Sequence, residues 1–243
     1  MSTQPTRIKF CGMTRLEDAE LALELEAWAV GMVFHRESPR HCEIDDAFEI
    51  ATLVKRKAES VGVFYNATLD SVARIADLVG LTLIQLHGDE GPDYCSEISR
   101  RTGCGVIKAA RVKSPADVLD LRIYPTAYHL LDTHVPEMPG GTGESFPWEF
   151  AGTHQGPVPF ILAGGLRADN VIDAIGAAHP FAVDVASGTE AAPGIKDPVR
   201  MRDFADAVRS TDPFVPEEEV FDGGLDGPPL EVDEAAAAPE EAS

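Results

Sequence analysis

The feature that most constrains the fold is a regular alternation of short apolar runs with longer amphipathic stretches. Each run has the length of a buried strand, and the runs start about every 20 to 30 residues, the length of one strand–loop–helix unit. The eight predicted strands are Ile8–Cys11, Val30–Phe34, Val61–Tyr65, Leu81–Leu86, Gly105–Ala109, Tyr128–Leu131, Phe160–Ala163 and Ala182–Val185.

Between these runs, apolar residues recur at helical spacing. Ile44, Ala47, Phe48, Ala51 and Val54 predict a helix with these side chains on its buried face. The same spacing predicts helices over 69–79, 171–178 and 201–208, and shorter stretches lie around "SPADVLDL" and "FPWEFAG". Alternating strands and helices imply parallel strands, and eight units favour a closed (β/α)₈ TIM barrel over an open sheet. The leucine-rich repeat signature, which has a similar period, is absent.

The composition changes near Asp212. From residue 213 to residue 243 there are ten acidic residues and no Lys or Arg, among repeated Pro, Gly and Ala. Such a segment cannot bury enough apolar surface to offset its chain entropy. We therefore expect a catalytic barrel domain over 1–212 and a disordered acidic tail over 213–243.

The formal net charge of −21 limits the possible partners. It repels nucleic acids and anionic membranes, so neither is an expected partner. Removing the tail still leaves −11 on residues 1–212. Concentrated salt screens such self-repulsion, which favours a halophilic cytoplasm, and an acidic protein of a non-halophile is the alternative.

The four cysteines, Cys11, Cys42, Cys95 and Cys104, form no C-x-x-C pair and have no His at zinc-ligand spacing. Without a secretory signal, they are interpreted as reduced thiols of a cytoplasmic protein. No stretch approaches 18 apolar residues.

In a barrel of this kind, reactive groups gather at the carboxyl ends of the strands. Cys11 ends the first predicted strand and Asp132 follows the sixth. A thiol and a carboxyl facing one pocket suit proton abstraction next to a carbonyl or imine, and hence isomerisation. The alternative is that Cys11 is buried packing and Asp132 a helix cap.

Two glycine-rich turns, "AGGL" and "ASGT", follow the seventh and eighth predicted strands. Backbone N–H groups at such turns bind anions, and these two positions often hold phosphate in TIM barrels. Gly164, Gly165, Ser187 and Gly188 are therefore candidate phosphate-binding residues, although glycine also simply permits tight turns.

Seven motifs together resemble one family. They are "KFCGMT", "GMVFHRESPR", "QLHGDE", "LLDTH", "GGTGESFPWEF", "LAGGLRADNV" and "VDVASGTEAAPGIKD". In this order, over residues 7 to about 209, they resemble the phosphoribosylanthranilate isomerases of tryptophan biosynthesis. The resemblance implies a (β/α)₈ barrel without metal or cofactor that is a monomer or a homodimer. It also implies an Amadori rearrangement of N-(5-phosphoribosyl)anthranilate to 1-(2-carboxyphenylamino)-1-deoxyribulose 5-phosphate.

By the same resemblance, Cys11 matches the general base and Asp132 the general acid. Arg40 matches the residue that pairs with the anthranilate carboxylate, and the four glycine-turn residues match the phosphate site. His87 and Gln85 lie at the mouth of the barrel without an assigned role.

Three alternatives are weaker. Related isomerases of histidine biosynthesis place Asp where this chain has Cys11. Ribulose-phosphate epimerases need metal ligands that the sequence does not offer. A catalytically silent phosphate-binding protein would have no need of Cys11, Asp132 and Arg40 together.

Overall fold

The computed structural model describes residues 5–133, 148–154 and 156–211. The "GGTGES" motif and the expected acidic tail over 213–243 lie outside the described residues.

Eight parallel strands form a closed barrel in which each strand pairs with its neighbours in chain order, and β8 pairs with β1. The strands are β1 (Arg7–Cys11), β2 (Ala29–Val33), β3 (Glu59–Phe64), β4 (Leu83–Leu86), β5 (Gly105–Arg111), β6 (Tyr128–Asp132), β7 (Phe160–Ala163) and β8 (Ala182–Val185). The prediction of a (β/α)₈ barrel is confirmed, and β7 and β8 have the predicted bounds.

Eight helices accompany the strands within the described residues. They are α1 (Leu16–Glu24), α2 (Ile44–Val54), α3 (Leu69–Val79), α4 (Pro92–Thr102), α5 (Pro115–Asp120), α6 (Trp148–Ala151), α7 (Val171–Ala178) and α8 (Pro198–Arg209). Their ends follow local chemistry. The Thr68 hydroxyl accepts a hydrogen bond from the backbone N–H of Ser71 and caps α3, and Gly80 ends that helix at φ 74°.

The predicted buried face of α2 is wrong at two residues. Ala47, Ile50, Ala51 and Val54 are buried, whereas Ile44 is 39% exposed and Phe48 is 53% exposed. At 3.6 residues per turn, Phe48 lies roughly 110° around the helix from the centre of the buried stripe. The apolar spacing counted from Ile44 therefore predicted a face centred to one side of the buried face of α2.

A short antiparallel hairpin, β9 (Glu190–Ala192) with β10 (Ile195–Lys196), follows β8 and was not predicted. Strands of three and two residues are too short to show an alternating pattern. The hairpin places Glu190 and Lys196 beside the carboxyl end of β1, where both become part of the site described below.

Apolar side chains fill two layers. One cluster lies between strands and helices. A second lies on the other face of the strands and includes Ala29, Val61, Ile107, Leu130 and Ile161. Polar side chains also point to the same side as this second cluster. They are Lys9, Gln85 and Asp184, which lie nearer the carboxyl ends of their strands.

Within the part of the chain that the structure describes, no helix is long and apolar enough to cross a bilayer.

Candidate active site

A cavity of about 620 Å³ opens at the carboxyl ends of the strands. This volume is in the range of small-molecule sites. Cys11 from β1, Asp132 from β6, Arg40 from the β2–α2 loop and Gly164 and Gly165 after β7 all line it. Residues more than 100 positions apart in the sequence therefore share one pocket.

Cys11 lies at the cavity floor with 8% of its surface exposed. Burial raises the pKa of the Cys11 thiol, and the nearby Lys9 ammonium is the largest influence opposing that rise. The thiol borders the cavity yet is largely shielded from water. A base at this position can reach a substrate carbon while bulk solvent is kept away.

Lys9 is fully buried two residues before Cys11 on the same strand. Its ammonium donates a hydrogen bond of 2.7 Å to Asp184 Oδ1 on β8, the strand that pairs with β1. Burial alone would lower the pKa of Lys9, but attraction to Asp184 and to Cys11 raises it. These two attractions therefore favour the charged form of Lys9 inside the barrel.

Asp132 ends β6 and faces His87, which follows β4. His87 Nε2 lies 3.4 Å from Asp132 Oδ2, and His87 Nδ1 lies 3.2 Å from the Gln85 amide nitrogen. If that amide donates to Nδ1, the ring carries its proton on Nε2 and points it at the carboxylate. The two residues left without a role in the sequence thus orient the candidate acid.

The loop that carries His87 is held by a buried ion pair. Glu90 accepts hydrogen bonds from the backbone N–H groups of Asn66 and Gly88, at 2.7 and 2.9 Å. Lys108 on β5 donates to Gly88 O at 2.6 Å and lies 3.3 Å from Glu90 Oε2. These contacts fix the backbone one residue beyond His87.

Arg40 lies in the cavity wall, and its guanidinium is engaged by Glu190. Arg40 Nε and Nη2 donate to the two carboxylate oxygens at 2.8 and 2.7 Å, a bidentate pair. Lys196 Nζ lies 3.5 Å from Glu190 Oε1 and donates to Cys11 O at 2.7 Å and Ala186 O at 3.0 Å. One carboxylate thus contacts two basic side chains, and burial lowers the pKa of Lys196 although Glu190 opposes that shift.

The first glycine turn follows β7. Gly164 and Gly165 adopt φ values of 102° and 65°, which favour glycine. The Asn170 side chain donates to Gly165 O at 3.1 Å and accepts from Arg167 N at 2.8 Å, bracing the turn before α7. Both glycines line the cavity.

The second glycine turn follows β8. Its two predicted phosphate-binding residues, Ser187 and Gly188, differ in their position relative to the cavity. Ser187 lines the cavity, but Gly188 does not. A Cβ at Gly188 would lie 2.0 Å from the Leu166 carbonyl oxygen. Gly188 therefore allows the two turns to touch, and its position is explained by packing of backbone against backbone.

The other cysteines lie away from the cavity. All four cysteines are free thiols. Burial raises the pKa of Cys42 to about 12 and that of Cys95 to about 11, and it also raises the pKa of Cys104. Over residues 5–133, 148–154 and 156–211, no group of three His, Cys, Asp or Glu side chains is arranged to hold a metal ion.

Comparison with known proteins identifies the family to which the chain belongs. The family model for N-(5′-phosphoribosyl)anthranilate isomerase matches residues 8–207. This chain belongs to the phosphoribosylanthranilate isomerase family. The phosphoribosylanthranilate isomerase of Geobacter sulfurreducens is 46% identical over 198 residues, covering 82% of this chain and 96% of that protein.

Solved structures of phosphoribosylanthranilate isomerases agree. One, in complex with reduced 1-(o-carboxyphenylamino)-1-deoxyribulose 5-phosphate, is 34% identical, with a TM-score of 0.72 over 84% of this chain and 99% of the other. Another structure shows monomers generated from the dimeric Thermotoga maritima enzyme. It is 34% identical, with a TM-score of 0.71, and the match covers 84% of this chain and 99% of the other.

The family fixes the activity. The chain is a phosphoribosylanthranilate isomerase, an aldose–ketose isomerase of tryptophan biosynthesis. The alternatives from histidine biosynthesis, the epimerases and a silent binding protein are set aside. The resemblance that the seven motifs indicated is confirmed.

Sequence reasoning missed four charged side chains around this site: Lys9, Asp184, Glu190 and Lys196. Two carried a usable signal. Lys9 is two residues before Cys11, so a strand period of two puts both side chains on one face. In the same way, Asp184 is two residues before Ala186, which lines the cavity. The hairpin that brings in Glu190 and Lys196 carried no such signal in the sequence.

Proposed function

We propose that Cys11 is the general base and Asp132 the general acid of the isomerisation. The observation that carries the proposal is that a thiol and a carboxyl from β1 and β6 line one cavity of substrate size. Protonated Asp132 donates to the ribose ring oxygen and opens the sugar to a Schiff base. The Cys11 thiolate then removes the C2 proton, and the enolamine tautomerises to the ketone.

The glycine turns are the proposed phosphate site. Gly164, Gly165 and Ser187 line the cavity after β7 and β8, where backbone N–H groups can meet an anion without a side chain between them. Gly188 supports this site from behind through its contact with Leu166. The phosphorylated ligand in the solved relative is consistent with a phosphate site in this chain.

Arg40 is the proposed partner of the anthranilate carboxylate. Glu190 already holds two of its nitrogens, so the substrate meets the remaining edge of a fixed guanidinium. Lys196 is a second basic group on Glu190, so Arg40 shares that carboxylate with another side chain.

Replacing Arg40 by Ala is expected to lower kcat/KM about 10- to 150-fold, chiefly through KM. A charge-assisted hydrogen bond contributes about 1.5–3 kcal/mol, which corresponds to that range. Arg40→Lys should recover only part, since a point charge does not reproduce the planar fork. The measurement is the loss of phosphoribosylanthranilate fluorescence at varied substrate concentration.

Arg111→Ala is the matched control, because Arg111 is a second arginine on the cavity wall. It should cost less than Arg40→Ala. A larger loss in Arg111→Ala, with normal kinetics in Arg40→Ala, would move carboxylate recognition to β5.

We also propose that residues 1–212 form the catalytic domain, that 213–243 are a dispensable tail, and that the protein works in a salt-rich cytoplasm. The family match ends at residue 207 and α8 ends at Arg209, before the acidic segment begins. Free thiols suit a reducing compartment.

By analogy with the dimeric Thermotoga enzyme, the assembly is a monomer or a homodimer. The charge of −21 argues against nucleic acid or membrane partners.

Activity and melting temperature are expected to rise steeply from low salt towards molar KCl. The Debye length falls from ~10 Å at 0.1 M to ~3 Å at 1 M, which screens the charge of −11 on residues 1–212. The same series on a chain ending at residue 212 is the control, and it should give nearly the same curve. Full activity and an unchanged melting temperature below ~0.1 M salt would refute the halophilic proposal.

A further inference from the structure

Lys9 and Cys11 converge on one point inside the barrel. They are two residues apart on β1, so both side chains point to the same side of the strand. Gly31 lies opposite Cys11 on β2, and a Cβ there would be 2.9 Å from Cys11 Sγ and 3.2 Å from Lys9 Nζ. The ammonium and the sulfur therefore both border the space that Gly31 leaves open.

We propose that Lys9 is a positioning residue that stabilises the thiolate of Cys11, and that Asp184 holds Lys9 in place and charged. Lys9 does not line the cavity, so it acts through Cys11 and not on the substrate. The inference rests on the proposed role of Cys11 as the base.

The charges around Cys11 single out Lys9. The sulfur is influenced by Lys9 from its own strand, Asp184 from β8, Lys196 from β10 and Arg40 from the β2–α2 loop. Arg40 and Lys196 are both bound to Glu190, and Lys196 donates to the backbone oxygen of Cys11. Lys9 is the cation whose ammonium borders the same space as the sulfur.

The direction of the electrostatics supports this assignment. Burial raises the pKa of the Cys11 thiol above its ordinary value of about 8.5. Lys9 lowers that pKa more than Asp184 raises it. Since the thiolate is the active base, wild-type activity should rise with pH through neutrality, along the titration of the thiol.

A purely structural Lys9 would serve only to neutralise Asp184, a half-buried carboxylate that lines the cavity. Removing Lys9 together with the charge of Asp184 would then lower stability at most and leave the titration of Cys11 in place. The thiol titration is therefore the readout that separates the two roles.

The test is the rate of Cys11 carbamidomethylation by iodoacetamide between pH 6 and 10, followed on the Cys11 peptide by mass spectrometry. In Lys9→Met, the apparent thiol pKa should rise by about one unit or more, and kcat at pH 7 should fall at least about tenfold. The ascending limb of the kcat profile should move to higher pH by the same amount as the alkylation curve.

Two further variants guard against misfolding and against general effects of losing a buried charge. Lys9→Met with Asp184→Asn leaves no unpaired carboxylate, and its thiol pKa should also lie above that of the wild type. Lys108→Met removes another buried lysine with a carboxylate partner, on β5, which is four strands from β1 in the barrel. It should leave the alkylation curve of Cys11 unchanged.

The outcomes are distinguishable. An unchanged thiol pKa in the double variant overturns the inference about Lys9, because a rise confined to Lys9→Met would come from the unpaired Asp184 carboxylate. A raised thiol pKa with a kcat profile that does not move supports the effect of Lys9 on the thiol and overturns Cys11 as the base. A shift of equal size in Lys108→Met also overturns the inference, since the effect would then not be specific to the contact.

Discussion

Asp132→Asn is expected to lower kcat by ~10²–10⁴-fold while the melting temperature changes little. The amide has the shape of the carboxyl and can still contact His87, but it has no acidic proton to give to the ribose ring oxygen. In the proposed mechanism, ring opening is the first chemical step. Slowing it therefore slows the whole reaction. The measurement is kcat from fluorescence decay, with thermal unfolding of the same sample.

Asp120→Asn is the control for this variant, because Asp120 is an exposed carboxylate at the end of α5. It should behave as the wild type in both measurements. An Asp132→Asn protein with more than a third of wild-type kcat would mean that another group protonates the sugar.

Cys11→Ser is expected to lower kcat by ~10²–10⁴-fold with the substrate still bound. Serine nearly keeps the size of the thiol, but its hydroxyl stays neutral at any pH the protein survives, so the base is lost. Cys42→Ser, Cys95→Ser and Cys104→Ser should keep near-normal kcat. If Cys11 served only packing, the result would be reversed: lower stability, with normal turnover in the folded fraction.

Much of this fold could be predicted from the sequence because the barrel repeats one pattern eight times. Each strand is a compact apolar run, and a strand such as Phe160–Ala163 stands out between polar flanks. The same regularity located Cys11 and Asp132, since the residue at the carboxyl end of a barrel strand faces the common cavity. The predicted buried face of α2 was wrong at Ile44 and Phe48, because both continue the apolar spacing although they lie outside the buried stripe.

The partners of the site residues could not be predicted in the same way. Asp184 lies 175 residues from Lys9, and Glu190 lies 150 residues from Arg40. Such pairs form only when β8 closes against β1 and the β9–β10 hairpin folds over the junction. Sequence spacing shows which side chains lie at the mouth of the barrel. Which of the charged side chains form pairs there depends on the register in which β8 pairs with β1.

The most direct test of acid–base catalysis by Asp132 and Cys11 is a single-turnover experiment with enzyme in excess over phosphoribosylanthranilate. Under these conditions the loss of substrate fluorescence reports chemistry without product release. Wild type and Cys42→Ser should decay at the same rate, and Cys11→Ser and Asp132→Asn should each be slower by ~10²–10⁴-fold. Decay in both site variants within about threefold of wild type would contradict the account.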